Sequence, residues 1–187
     1  MKLLTSYFKY LQNPSSRWTD FFDSSCVTQA CLGYFIAAVG WVIFFNLGDD
    51  LSLFALIFKL FFVFLAEVTA GYFIASLVGI YLSFKEKAAP ASALFVLIGT
   101  AGFIKGLLIA WALLCAMFSG LHLSDCSALV LLGVFVLQII YLVRGIKQIV
   151  PLTTASAMAA WLAGIIPGVL VAFLAGVFFI WGVALLF

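Results

Sequence analysis

The sequence predicts an all-α fold, an integral membrane bundle of five transmembrane helices preceded by short N-terminal amphipathic interfacial helices. The first observation is composition: 67% of the 187 residues are hydrophobic and 9% are charged, whereas a soluble globular domain has about 45–50% apolar and about 25% charged residues. The second is a series of long apolar runs separated by short polar gaps. The net charge of +2 is too small to indicate a nucleic-acid partner.

Five apolar runs are long enough to cross a bilayer as helices, for which about 20 residues suffice. The short gaps between them predict that consecutive helices pack as antiparallel neighbours in one bundle. The chain therefore divides into an amphipathic interfacial segment, residues 1–25, and a transmembrane bundle, residues 26–187. The predicted spans are residues 27–47, 51–84, 88–118, 128–143 and 157–187.

Charged residues outside the spans predict the orientation of the bundle, because cytoplasmic loops are enriched in Lys and Arg. One side carries Asp49, Asp50, His122 and Asp125 without any Lys or Arg. The N-terminus is therefore expected in the cytoplasm and the C-terminus outside. The cations on the cytoplasmic side are Lys2, Lys9, Arg17, Lys85, Lys87, Arg144 and Lys147.

The first 25 residues have the pattern of an interfacial helix rather than of a span. Leu4, Phe8 and Leu11 recur at helical spacing, opposite lysine, threonine and glutamine side chains. This pattern is typical of a helix that lies in the headgroup layer. Pro14 ends the helix and can open a second one. Two interpretations are open: the segment anchors and orients the first span, or it deforms the membrane or binds a partner.

Three ionisable side chains fall inside the predicted spans, where a charge costs at least about 2.5–3.5 kcal/mol and therefore needs a partner or a role. Glu67 and Lys105 lie near the middle of two consecutive spans, so we predict an intramembrane ion pair between them. Lys59 either pairs with Glu67 or extends towards the outer boundary. The pair has two open interpretations: a clasp that fixes helix register, or a polar site that relays protons or ions or holds a lipid headgroup.

Small residues recur at every fourth position in three of the spans, which allows helices to approach closely in lipid. We interpret these stripes as packing surfaces within the bundle, with contacts in a homo-oligomer as the alternative. The glycines of the stripes are Gly71, Gly79, Gly102, Gly106, Gly164 and Gly168.

No arrangement of residues indicates an enzyme, a metal site or a cofactor site. His122 is the only histidine in the chain. Asp125 and Cys126 follow it closely, but groups from one short loop do not converge as a catalytic triad or a closed metal site requires. Phosphate-binding and metalloprotease motifs are missing as well. We therefore expect a non-enzymatic protein without metal or cofactor.

Two segments on the predicted cytoplasmic side carry a family resemblance. The first runs from Tyr7 to Pro14 and continues with Arg17 and Trp18. The second, before the last span, has as its main residues Tyr141, Arg144, Gly145 and Lys147. Both are similar to segments of bacterial proteins with a Yip (Ypt-interacting protein) domain. Five spans, a cytoplasmic N-terminus and an outside C-terminus also match that family.

The resemblance implies a polytopic protein of the prokaryotic inner membrane. The chain lacks the acidic-leucine-aromatic-Gly-Pro segment of the eukaryotic members, so Rab-type GTPases are not expected as partners. It also lacks the proline that the family often has in the third span. The expected partners are the lipid bilayer, a protein on the cytoplasmic face and a second copy of the chain.

Two functions from different classes remain open. The interfacial segment, the packing stripes and the lack of catalytic motifs favour a protein that organises membranes or serves as a scaffold. The intramembrane charges favour a small transporter, or an ion- or proton-conducting protein, that works through Glu67 and Lys105.

Overall fold

In a computed structural model, the chain forms a helical bundle. The structure describes residues 24–46, 52–87, 89–118 and 123–184, with side chains described in all of these except residues 24–26, 123–124 and 171–184. The predicted interfacial segment therefore lies outside the described residues, apart from the start of the first helix. The α-helices are α1 (Ser24–Phe45), α2 (Leu53–Phe84), α3 (Ala91–Lys105), α4 (Leu107–Met117), α5 (Ser127–Ile149) and α6 (Thr154–Ala184).

The predicted all-α fold is confirmed for the described part of the chain. Four of its segments are long and apolar enough to cross a membrane, namely Val27–Phe45, Leu53–Phe84, Ala91–Met117 and Ser127–Ile149. Helix α6 has 31 residues. Large apolar side chains point outward from the bundle, and Phe54, for example, is 80% exposed. These lengths and this surface fit a membrane protein.

Helices α3 and α4 together form the third predicted span, which tightens at Gly106. The N–H of Gly106 donates to the carbonyl of Phe103 at 3.0 Å, and the N–H of Ile109 donates to the carbonyl of Gly106 at 3.1 Å. These hydrogen bonds span three residues instead of four, as in a 3-10 helix. Glycine tolerates the tighter turn because it is a weak helix former, although Gly99 and Gly102 stay in regular α-helix.

The last two helices extend further than the sequence predicts on the side of their shared loop. Helix α5 continues through Arg144 and Lys147 to Ile149, because Lys and Arg are good helix formers and suit a helix C-terminus. Helix α6 begins at Thr154, where the Thr153 hydroxyl accepts from the N–H of Ser156 at 3.2 Å and so caps the helix.

Every consecutive pair of predicted spans packs together, as expected from the short loops. The most extensive interface, however, joins α1 to α3. These two helices are parallel, since Ala30 meets Gly99 and Gly40 meets Lys105. Helix α3 also packs on α2 and α5, and it therefore forms the centre of the bundle.

Glycines allow the closest approach of α1 to α3. A Cβ atom built on Gly33 would overlap the carbonyl oxygen of Gly99, and one built on Gly102 would lie 2.5 Å from the carbonyl oxygen of Gly33. The neighbouring Tyr34 is fully buried and donates to the carbonyl oxygen of Phe95 at 3.1 Å. The close approach thus puts an aromatic side chain of α1 against the backbone of α3.

The glycines of the predicted stripes mostly face other helices. Gly71 contacts the ring of Tyr34, and Gly164 contacts Ile74 and Val78. The remaining glycines have looser surroundings or another role. Gly79 has Leu94 at 3.8 Å, Gly168 has Ile74 at 3.9 Å, and Gly106 is the point where α3 gives way to α4.

The two basic loops of the described chain lie at the same end of the bundle. Lys87, which follows α2, donates from Nζ to the carbonyl oxygen of Pro151, which precedes α6, at 2.8 Å. Lys147 donates to the hydroxyl of Thr154 at 2.8 Å. The loop cations therefore share one end, as the predicted orientation requires.

Candidate functional site

The ion pair that the sequence predicts between Glu67 and Lys105 is present between α2 and α3. Lys105 Nζ lies 2.6 Å from Glu67 Oε1, a distance typical of a charge-assisted hydrogen bond. The two side chains are 10% and 19% exposed, respectively. Glu67 lies near the middle of α2, and Lys105 is the last residue of α3 before the tightening at Gly106.

Trp41 of α1 is the third member of this site. Its Nε1 donates to the same Glu67 Oε1 at 2.6 Å, and Lys105 Nζ lies 5.2 Å from the centroid of its ring. That distance allows a cation–π interaction. The two contacts let the indole stabilise both members of the pair. Trp41 is not among the residues predicted from the sequence, although a buried tryptophan usually finds an acceptor for its N–H.

Lys59 does not pair with Glu67 in the structure. Its Nζ donates to Asn46 Oδ1 at 2.5 Å, and its side chain is exposed near the start of α2. The structure therefore agrees with the interpretation that Lys59 extends towards the end of the bundle. Its partner Asn46 lies directly after α1, so this hydrogen bond also joins the ends of α1 and α2.

A cavity of about 400 Å³ adjoins the ion pair. Its walls come from α2, α3, α5 and α6. The polar side chains of the wall are Glu67, Lys105, Gln138 and Trp161, and apolar residues form the remainder. Trp161 is 5% exposed, and its Nε1 has no hydrogen-bond partner within the described residues. The site therefore combines a neutralised ion pair, a buried donor without an acceptor and an apolar wall.

The second segment that carries the family resemblance lies around the end of α5. Its main residues are Tyr141, Arg144, Gly145 and Lys147. Gly145 packs against Leu97 of α3, which leaves no room for a Cβ atom. Tyr141 is half-buried beside the core, whereas Arg144 is exposed. Lys147 bonds to Thr154, as described above. The segment thus combines a packing role with an exposed basic surface.

The described residues contain no group of three or more metal-ligating side chains from His, Cys, Asp and Glu. The polar groups described at the site are the ion pair, the amide of Gln138 and the indole N–H groups of Trp41 and Trp161. Comparison with known proteins finds no match to a family model, a curated protein or a solved structure.

Proposed function

We propose that this chain is a non-enzymatic membrane protein that organises the bilayer or holds partner proteins, with the Glu67–Lys105 pair as the clasp of its bundle. The observation that carries the proposal is that both charges of the pair have partners within the bundle, an arrangement we call a closed pair. Lys105 Nζ and Trp41 Nε1 both donate to one oxygen of Glu67. Each charge thus has a partner inside the bundle, which is what a charged group at bilayer depth requires.

The alternative is a small transporter or an ion- or proton-conducting protein. A conduction path needs a chain of polar groups that continues from the site towards both faces of the membrane. The described wall of the cavity offers only four polar side chains next to the pair, and apolar residues surround them. This surrounding favours the clasp over the relay.

The proposal places the protein in the prokaryotic inner membrane, with five spans, a cytoplasmic N-terminus and a C-terminus outside. The contact between Lys87 and Pro151 supports the orientation only, because it brings two basic loops to one end of the bundle. The inner-membrane location follows from the family resemblance alone. We also propose that the chain belongs to the bacterial branch of the Yip-domain family, because two of its segments resemble that family. The exposed cations at the cytoplasmic end suit anionic lipid headgroups or an acidic protein surface.

The orientation can be tested with the chain's own cysteines. Cys126 is exposed just before α5, at the predicted outer end. In a variant with Cys26, Cys31 and Cys115 replaced by alanine, a membrane-impermeant maleimide should label intact cells. The matched control replaces all four cysteines by alanine and carries Gln148→Cys at the basic end. We expect this control to be labelled only after permeabilisation. The reverse pattern, with the control labelled in intact cells and Cys126 only after permeabilisation, would show the opposite orientation.

Flux through liposomes separates the two functions. With a potassium gradient, valinomycin and an internal pH-sensitive dye, we expect the purified protein to add no proton entry over empty vesicles. The comparison variant combines Glu67→Gln with Lys105→Met, which removes both charges together. Proton entry that the natural chain supports and this variant lacks would establish the conducting alternative.

The same liposomes test membrane organisation directly. We expect the full chain to shift the distribution of vesicle diameters in electron cryomicroscopy. A chain without residues 1–13 should remain in the vesicles but lose this effect. Equal vesicle diameters with the full chain, the shortened chain and no protein would exclude membrane deformation. The remaining form of the proposal would then be that the chain holds a partner protein.

A further inference from the structure

We propose that the cavity beside the Glu67–Lys105 pair binds a lipid-phase alcohol, an uncharged molecule with an apolar body and a single hydroxyl group. This inference goes beyond the scaffold function and does not depend on it. The cavity volume of about 400 Å³ falls within the usual range of small-ligand pockets, about 300–1,000 Å³.

The walls of the cavity match an apolar body. Their apolar residues include Val63, Ile74, Ile98, Phe135, Ile139 and Ile165. Ordered water can occupy only the part of this space beside the polar side chains, because each water needs two to four polar partners. The apolar part of the wall offers water none. A hydrocarbon chain or ring system would fill the same space with favourable contacts.

The polar groups of the wall match a hydroxyl. Trp161 Nε1 is a buried donor without an acceptor in the described part of the chain. Glu67 accepts both of its hydrogen bonds at Oε1, and its Oε2 accepts none from the described residues. A hydroxyl group donates one hydrogen bond and accepts others, so it can satisfy either the Trp161 donor or the Glu67 acceptor of this wall. An unmet buried donor carries a desolvation penalty that such a ligand would remove.

Charge argues against a fatty acid or an amine. The ion pair is neutral as a whole, so an added carboxylate would face Glu67 and an added ammonium would face Lys105. Either ligand would bring an unpaired charge into an apolar site. An uncharged head avoids this cost.

The ligand can enter from the lipid. Ala66 and Ala70 of α2 line the cavity and are also exposed on the outer surface of the bundle. Phe135 of α5 lies on the wall and is exposed as well. The wall therefore reaches the surface that faces the acyl chains, and a lipid-phase molecule needs no aqueous route.

Photolabelling of the purified protein in nanodiscs tests the proposal. The probe is a twelve-carbon primary alcohol with a diazirine on its chain, and the matched probe is the same alkane without the hydroxyl. We expect the alcohol to label peptides of α2, α5 and α6, and excess dodecan-1-ol to compete. Labelling by the alcohol should exceed labelling by the alkane about 3- to 10-fold, the worth of about one hydrogen bond.

Two variants locate the site. Trp161→Phe keeps an aromatic ring but loses the N–H, and it should reduce the preference for the alcohol to near that of the alkane. Ala70→Leu, at an exposed position of the wall, should block labelling by both probes at these peptides. The control is Trp111→Phe, because Trp111 bonds to Ser127 outside the cavity. Equal labelling by the two probes, or labelling unchanged in both cavity variants, would overturn the proposal.

Discussion

Replacing Gly33 by leucine is expected to prevent the bundle from assembling. A Cβ atom at this position overlaps the carbonyl oxygen of Gly99 and lies 2.8 Å from its carbonyl carbon. The obstacle is the backbone of α3, which cannot rotate away as a side chain can, so α1 and α3 would have to separate. Gly33→Ala alone should cost about 2–3 kcal/mol, at the upper end of overpacking effects.

The matched control for this prediction is Gly133 of α5. A Cβ atom at Gly133 meets nothing within 4 Å. Gly133→Ala should therefore be neutral or slightly stabilising, since alanine is favoured over glycine in helices by about 1 kcal/mol. Fluorescence-detected size exclusion in detergent would measure the folded fraction. Equal yields of Gly33→Ala and Gly133→Ala would show that α1 and α3 do not meet at this crossing.

Neutralising one member of the Glu67–Lys105 pair is expected to destabilise the bundle by about 3–5 kcal/mol. Glu67→Gln leaves the ammonium of Lys105 without a counter-charge, and Lys105→Met leaves the carboxylate of Glu67 in the same position. An isolated charge in an apolar interior costs far more than a paired one. Unfolding in mixed detergent and dodecyl sulfate micelles would measure both losses.

Lys59→Met is the matched control for these two variants. Lys59 is a lysine of α2, the same helix as Glu67. Unlike Lys105, it is exposed and donates to Asn46 at the end of the bundle. We expect its replacement to change the free energy of unfolding by less than about 1 kcal/mol, as for exposed polar pairs. If Glu67→Gln and Lys105→Met change the free energy of unfolding as little as Lys59→Met does, the buried charges do not stabilise the bundle.

The ion pair was predictable because charged residues are so rare in this chain. Two antiparallel spans joined by a short loop place their midpoints at the same depth, and Glu67 and Lys105 are the residues near those midpoints. For Lys59 the sequence left two alternatives open. The hydrogen bond from Lys59 to Asn46 depends on where α1 ends, and a prediction from sequence locates helix ends only to within a few residues.

The crossing of α1 and α3 was not predicted, although its residues are visible in the sequence. The predicted stripes follow a four-residue period, whereas Ala30, Gly33, Ala37 and Gly40 alternate between three and four. Short loops predict contacts between consecutive helices only. The pairing of α1 with α3 arises from the arrangement of the whole bundle, and it also positions Trp41 on the ion pair.

A double-mutant cycle tests whether Glu67 and Lys105 hold the bundle together as a clasp. The free energy of unfolding in mixed micelles would be compared among the natural chain, Glu67→Gln, Lys105→Met and the double variant. If the pair is a clasp, the double variant loses less than the sum of the two single losses, with a coupling energy of at least about 3 kcal/mol, because it leaves neither charge unpaired. Losses that add to within about 0.5 kcal/mol would show that the two charges act independently and would contradict the clasp.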